Sequence, residues 1–307
     1  MSLSRRVFLQ GILGIGLTSC LGNFEVIHLN NALPYYQAVQ ETMPDEEVKM
    51  IHFAHLNAAD LRGNTPFLFE FISKQEAREH AKSLADFMLK EKIDLISLNE
   101  VDYAGTVKTG GFDQPKLIAE YLGSPYDYVV FDQYMKSPLW TTGNGAVSLF
   151  PMRAVHRHLY GDDPHKPDTR LDYMFKDFIH TEIAVGNKKI DLISTHFDDS
   201  SYDFRRKEEA IELADYVREL NQKQPERYIL VAGDFNDRHD SETLKIILSS
   251  GLYPPQNFGL KTYQNGDPSE DIDHIVASSN IRIDNYRTFA YPWSDHLGLM
   301  CELEFLE

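Results

Sequence analysis

Cysteine is nearly absent from this sequence. The 307 residues contain two, Cys20 and Cys301, which excludes a framework of several disulfides. We expect Cys301, in an apolar stretch near the C-terminus, to be a small buried strand residue. The apolar run near the N-terminus, residues 11–17, is far shorter than the ~20 residues that a membrane-spanning helix needs.

Basic residues are also scarce. Thirty Lys and Arg face 47 Asp and Glu, for a formal net charge of −17. Such a chain has no general attraction to nucleic acid, because phosphate contacts require Lys and Arg. A nuclease stays open, because a bound cation and a local basic patch can override the average. Hydrophobic residues at 42% and charged residues at 25% are typical of a globular protein and exclude a disordered one.

The first twenty residues have the pattern of an export signal. Arg5 and Arg6 precede Phe8 and the short apolar run, as in a twin-arginine signal. The Leu-Thr-Ser-Cys sequence that ends at Cys20 resembles a lipobox, in which cleavage leaves that cysteine to carry a lipid. The alternative is an ordinary Sec signal with a chance arginine pair and cysteine.

Three segments follow from this interpretation. We expect a signal peptide over residues 1–19, the lipidated Cys20 and a tether over 20–47, and one domain over 48–307. The domain would be exported to the periplasmic or extracellular side and anchored to a membrane through the lipid.

From Val48 onward, hydrophobic periodicity predicts alternating strands and helices. Helices are predicted over 74–92, 116–122, 205–220 and 241–249. Strands are predicted over 48–53, 93–98, 126–131, 145–150, 178–185, 189–195, 228–232, 272–276, 286–290 and 298–305. Residues 161–176 are predicted to be a surface loop. Hairpins mixed with strand–helix units favour two packed sheets with helices outside.

Polar side chains recur where these apolar strands begin or end. They are Asn57, Glu100, His196, Asp234, Asn236, Asp273, Asp295 and His296. Burial of such groups is costly unless they are paired or solvated. Gathered at one sheet edge, they would suit a metal and phosphate site.

The order of these motifs resembles the endonuclease/exonuclease/phosphatase superfamily, whose members include DNase I-like and sphingomyelinase-like phosphohydrolases. The motifs are strand-Asn, strand-Asn-Glu, Ser-Thr-His, Gly-Asp-Phe-Asn, Ile-Asp-His-Ile and Ser-Asp-His, and they run from about Lys49 to the C-terminus. The resemblance implies an α/β four-layer sandwich of two mixed β-sheets flanked by helices. It places the active site at one end of the sandwich.

The resemblance also implies a divalent metal, Mg²⁺ or Mn²⁺. Glu100 would be the main ligand, since Mg²⁺ prefers hard oxygen ligands. Asp295 would be a second ligand or its supporting partner. Asn57 would help to hold the metal and phosphate through its amide.

Four further residues would carry the chemistry. His296 would be the general base or stabilise the transition state, with Asp273 orienting its ring. Asp234 would position or deprotonate the attacking water. Asn236 would donate to a phosphate oxygen.

Two more residues would face the phosphate. His196 would contact it or protonate the leaving group. Its presence favours the branch of secreted nucleases, sphingomyelinase-like and inositol-phosphatase-like enzymes over abasic-site repair enzymes. Asn144, in a Thr-Gly-Asn-Gly stretch, would bind substrate, or serve a structural turn instead.

We therefore expect a monomeric, metal-dependent hydrolase of phosphoesters, with a phosphodiester favoured. The substrate could be a lipid headgroup, a small phosphodiester or nucleic acid, and the net charge ranks DNA last. The alternatives are an extracellular endonuclease or exonuclease acting on DNA or RNA, and a catalytically inactive binding lipoprotein on the same fold.

Overall fold

The computed structural model describes residues 35–37, 47–62, 71–102, 108–136, 141–161, 176–199, 202–263 and 270–306. The expected signal peptide with Cys20, most of the expected tether and most of the 161–176 loop lie outside these residues. Within the expected tether, Tyr35–Gln37 form a strand that pairs with residues 129–131.

The strands of the described residues form two sheets. They are β1 (Tyr35–Gln37), β2 (Met50–Asn57), β3 (Leu95–Val101), β4 (Tyr128–Lys136), β5 (Thr141–Ser148), β6 (Met152–Leu159), β7 (Asp177–Val185), β8 (Lys188–His196), β9 (Tyr228–Asp234), β10 (Leu252–Tyr253), β11 (Asp273–Ser278), β12 (Ile281–Phe289) and β13 (Gly298–Phe305). The first sheet has the order β1-β4-β5-β3-β2-β13-β12, and the second β10-β11-β9-β8-β7-β6. Both are mixed, because β2 is parallel to β3 and β8 is parallel to β9.

Helices cover the outer face of each sheet. They are α1 (Lys74–Glu91), α2 (Gln114–Leu122), α3 (Asp203–Lys223) and α4 (Glu242–Leu248). Buried residues of α1 and α2 share one apolar core with the first sheet, and those of α3 and α4 share another with the second. None of the described helices combines the length and apolarity needed to cross a membrane.

A third core joins the two sheets. Phe53 and Leu95 of the first sheet pack with Ile183 and Leu192 of the second, all fully buried. The result is helices, sheet, sheet and helices, which confirms the predicted four-layer sandwich. Cys301 of β13 is buried beside this core, as predicted.

Several local predictions differ from the structure. The 145–150 strand in fact covers Thr141–Ser148, so Asn144 lies inside a central strand and not in a turn. Strand β6 was not predicted, because its exposed Arg153 and partly exposed histidines obscure the alternation. The hairpin joined by Gly186 was predicted and is present.

Candidate active site

Four polar residues stand in one row across the second sheet. The register pairs Asp177 with His196, His196 with Asp234, and Asp234 with Asp273. Paired residues on neighbouring strands direct their side chains to the same face. The row therefore presents three carboxylates and an imidazole toward the first sheet, at the end where β8 and β9 both finish.

The first sheet presents amides to this row. Asn57 and Asn99 are register partners at the ends of β2 and β3. Asn57 Nδ2 donates to Asp234 Oδ2 over 3.0 Å, and the backbone N–H of Asp234 donates to Asn99 Oδ1 over 2.8 Å. Asn144 Nδ2 donates to Asp177 Oδ1 over 2.6 Å. These bonds join the two sheets at one end of the sandwich.

The backbone is strained at two of the candidate residues. Glu100 has a φ of 48° and Asn236 a φ of 47°, in the left-handed region that side chains other than glycine seldom occupy. Such strain persists only where the surroundings hold it, and it concentrates at functional sites.

His296 and Asp273 form a buried pair. His296 Nδ1 lies 2.8 Å from Asp273 Oδ2. Burial alone would lower the pKa of His296, but the carboxylates of Asp273, Asp234 and Asp295 raise it to about 10. Burial would raise the pKa of Asp273, but the charge and hydrogen bond of His296, together with His55, outweigh burial and lower it. At neutral pH the ring is an imidazolium held by a carboxylate.

The pKa of Asp234 shifts in the opposite direction to that of Asp273. Burial and the negative charge of Asp273 raise its pKa to about 7, against the opposing charges of His296 and Lys176. Its Oδ1 accepts the backbone N–H of Asn236 over 2.8 Å. Two titratable neighbours with separated pKa values form a natural acid and base pair.

Acidic side chains crowd around Glu100. Burial and the charges of Asp60 and Asp295 raise its pKa, and Lys176 opposes them. The carboxylates offer the hard oxygen ligands that a divalent cation prefers, and the charge of the ion would offset their mutual repulsion. The residues therefore fit such an ion. Ligand atoms of Asp234, Asp273 and His296 also lie within 4.8 Å of one another. Because Asp273 is already paired with His296, the carboxylates suited to hold a cation are those of Glu100 and Asp295.

Asn57 lies between two acidic side chains of the site. Its Oδ1 accepts the backbone N–H of Ala59 over 3.1 Å, which directs Nδ2 toward Asp234 and toward Glu100 Oε1 at 3.4 Å. The amide nitrogen thus crosslinks the two acids, and the expected role of Asn57 at the metal stays a prediction.

Lys176 enters the site and was not predicted. Its Nζ lies 2.6 Å from His196 Nε2, and both side chains are buried. Burial, followed by the charge of Lys176, lowers the pKa of His196 well below its usual value. His196 is therefore neutral and accepts a hydrogen bond from Lys176. Lys176 follows a polar stretch that predicts only a loop, so no local pattern marked it.

Asn144 lies beneath the site and not on its surface. It is fully buried, with Oδ1 accepting from Asn99 Nδ2 over 2.6 Å and Nδ2 donating to Asp177. These bonds favour the structural alternative for Asn144, and its contact with substrate stays a prediction. Asn99 was overlooked as a site residue, although its place between the strand and Glu100 could have marked it.

The remaining candidate residues are near the same point. Asn236 is partly buried and donates from Nδ2 to Phe197 O over 2.9 Å. Asp295 is buried next to His296, close enough to influence both His296 and Glu100 electrostatically. The structure thus brings the predicted residues of the domain together. Asn144 is buried behind them, bonded to Asn99 and Asp177.

Solved structures of similar fold are numerous, at low sequence identity. An endonuclease/exonuclease/phosphatase from Beutenbergia cavernae matches with a TM-score of 0.64 and 15% identity, over 84% of this chain and 72% of that one. A mannosyl-6-phosphatase from Bacteroides thetaiotaomicron matches with a TM-score of 0.56 and 16% identity, over 83% and 100%. Truncated Caenorhabditis elegans TDP2 matches with a TM-score of 0.57 and 14% identity, over 83% and 97%.

The family comparison is more specific. No curated protein sequence matches the chain. The profile of the Endonuclease/Exonuclease/phosphatase family, however, matches residues 62–296, a span that contains the candidate residues from Glu100 to His296. With the four-layer fold and the acidic, metal-suited cleft, this match shows that the chain belongs to the endonuclease/exonuclease/phosphatase family.

Proposed function

We propose that this chain is a divalent-metal-dependent hydrolase of phosphodiesters. The observation that carries the proposal is the convergence of Glu100, Asp234, Asp273 and His296 at the joined ends of the two sheets. Glu100, with Asp295, would hold Mg²⁺ or Mn²⁺. When bound, the ion would neutralise charge on the phosphate and favour its attack by water.

Asp234 and His296 have separate roles in the proposed reaction. Asp234, with a pKa of about 7, accepts the proton of the attacking water. The water oxygen bonds to phosphorus as the bond to the leaving oxygen breaks, and that oxygen takes a proton from solvent to become the alcohol. The His296 imidazolium, held by Asp273, donates a hydrogen bond to a phosphoryl oxygen, where negative charge grows in the transition state.

Positive charge for substrate binding comes chiefly from Lys176. Its ammonium lies against neutral His196, and the second N–H of the Asn236 amide would reach a phosphate oxygen. His196 then orients Lys176, in place of the phosphate contact expected from the sequence.

The substrate class is part of the proposal. A small or lipid phosphodiester ranks above DNA, because the net charge of −17 repels a long polyanion. An extracellular nuclease is the second candidate. A mannosyl-6-phosphatase among the similar structures also indicates that the fold accommodates a small phosphomonoester.

An inactive binding protein is disfavoured, because the acid, the base and the metal-suited carboxylates are all in place.

The test is hydrolysis by the full chain, with and without Mg²⁺ or Mn²⁺. The substrates are an aryl phosphodiester, sphingomyelin, phosphatidylinositol, an inositol polyphosphate, plasmid DNA and RNA. We expect metal-dependent turnover, with kcat lower by about 100-fold or more in His296→Asn and Glu100→Gln. Folded variants that match the wild type would refute the proposed roles, and a metal-loaded wild type that cleaves none of these would support the binding protein.

We further propose that the chain is a membrane-anchored lipoprotein. The proposal rests on Arg5, Arg6 and the Leu-Thr-Ser-Cys sequence ending at Cys20. In a bacterial host, labelled fatty acid should be incorporated into the wild type and not into Cys20→Ser. Replacement of both arginines by lysine should leave the chain in the cytoplasm. Unchanged export of that variant would favour the Sec route.

A further inference from the structure

A second buried histidine lies directly behind the His296–Asp273 pair. His55 of β2 is fully buried, and its Nε2 is 3.4 Å from Asp273 Oδ1. The other oxygen of the same carboxylate, Oδ2, bonds to His296. Asp273 is therefore held between two imidazoles, one from each sheet.

The surroundings of His55 fix its orientation. Its Nδ1 lies 3.5 Å from Ser97 Oγ, which is 2.8 Å from Ser194 Oγ on the opposite sheet. With the two hydroxyls donating in turn toward Nδ1, a hydrogen on Nε2 would face Asp273 Oδ1 at 3.4 Å. At this distance neither Nε2 nor Oδ1 has a fully formed hydrogen bond.

The position of His55 is otherwise apolar. In the register, it lies opposite Leu299 and one strand from Ala146 across Ser97. Two residues earlier, Phe53 belongs to the core between the sheets. An imidazole in such a place is costly unless it is bonded, and Asp273 is its charged partner.

We infer that His55 is a positioning residue for the proposed reaction: it fixes the Asp273 carboxylate so that Oδ2 remains aligned with His296 Nδ1. Apart from His55, no described side chain is placed to donate to Asp273 Oδ1, which has no fully formed hydrogen bond. Without His55, that oxygen would be buried and unpaired, and the carboxylate would turn toward another donor. This inference rests on the proposed function for its kinetic consequence, although the alignment itself is measurable without turnover.

The kinetic test compares His55→Leu with His55→Gln in the full chain. Leu removes the donor, whereas the Gln amide nitrogen reaches approximately the place of Nε2. We expect His55→Leu to lower kcat by about 10- to 100-fold, as for other supporting partners of active-site groups, with KM nearly unchanged. Gln should restore most of the loss. In the Asp273→Asn background, His55→Leu should have little further effect.

The matched control is His180. It is buried in the same sandwich and bonded to a buried carboxylate, Asp191, at 2.8 Å. His180→Leu should lower the Tm without lowering the kcat of the folded protein. Equal losses of kcat in the two Leu variants, or failure of Gln to restore activity, would overturn the inference.

A spectroscopic measurement separates this inference from the proposed function. The Nδ1–H of His296, bonded to Asp273, should give a downfield proton resonance that is absent in Asp273→Asn. It should shift or broaden in His55→Leu and recover in His55→Gln. A wild type without hydrolytic activity would refute the proposed function only, and a resonance unchanged in His55→Leu would refute the positioning role only.

Discussion

At the scale of single residues, the identity of the group that carries positive charge is decided by one close contact. The sequence suggests His196 as the phosphate contact, yet its Nε2 faces Lys176 Nζ at 2.6 Å. Burial, followed by the charge of Lys176, lowers the pKa of His196 well below its usual value, so the imidazole is the neutral member of the pair. The ammonium is therefore the charged member of the pair.

This assignment predicts a large effect at Lys176. Lys176→Met should lower kcat/KM by about 10- to 100-fold, since a hydrogen bond to a charged group contributes about 1.5–3 kcal/mol. Lys176→Arg should keep much of the activity because it keeps the charge. Steady-state kinetics measure both, with Lys82→Met, at an exposed ion pair with Asp86, as control. Wild-type kinetics in Lys176→Met would show that the ammonium does not bind substrate.

At the scale of elements, helix α1 shows how local chemistry defines a boundary. The Ser73 hydroxyl accepts the Glu76 backbone N–H, and the Glu76 carboxylate accepts the Ser73 N–H over 2.7 Å. This capping box satisfies two backbone donors that a helix start would leave open. The helix accordingly begins at Lys74, as the sequence predicts.

Loss of the cap should weaken the fold by a small, defined amount. Ser73→Ala should lower the free energy of unfolding by about 1 kcal/mol, because Glu76 N–H loses its acceptor. Ser73→Asp should retain most of the stability, since its carboxylate also caps. Urea unfolding monitored by circular dichroism measures these differences. A stability loss in the Asp variant equal to that in Ala would argue against the capping role.

At the scale of the whole molecule, the site is a concentration of negative charge in an already acidic protein. Burial, followed by the negative charges of Asp60 and Asp295, raises the pKa of Glu100. The folded chain therefore carries an electrostatic cost at its functional end. A bound cation would remove that cost and stabilise the folded state by mass action.

Two changes in Tm should follow. Mg²⁺ or Mn²⁺ at about 100 times its Kd should add about 2.7 kcal/mol to stability and raise the Tm of the wild type. Glu100→Gln should raise the Tm of the metal-free protein and abolish most of the increase with metal. Differential scanning calorimetry in chelator and in metal measures both effects. An equal metal response in wild type and Glu100→Gln would place the cation elsewhere.

Several site residues and the fold could be predicted from local sequence patterns. Glu100, Asp234 and His296 follow or precede short apolar runs, and a strand places its end residue at a sheet edge whatever its neighbours are. The order of such motifs indicated the family and the four-layer fold.

The contacts between side chains on different strands could not be predicted from local sequence patterns. Lys176 and His196 are separated by a hairpin, and Asp273 meets His55 from 218 positions earlier in the chain. Such contacts depend on the register between strands and on the packing of one sheet against the other. Neither leaves a local periodic signal, because each residue's partner is set by the whole core. The sequence alone thus identified which side chains carry the chemistry of the site. The donor or acceptor that each of them faces depended on how the two sheets pack.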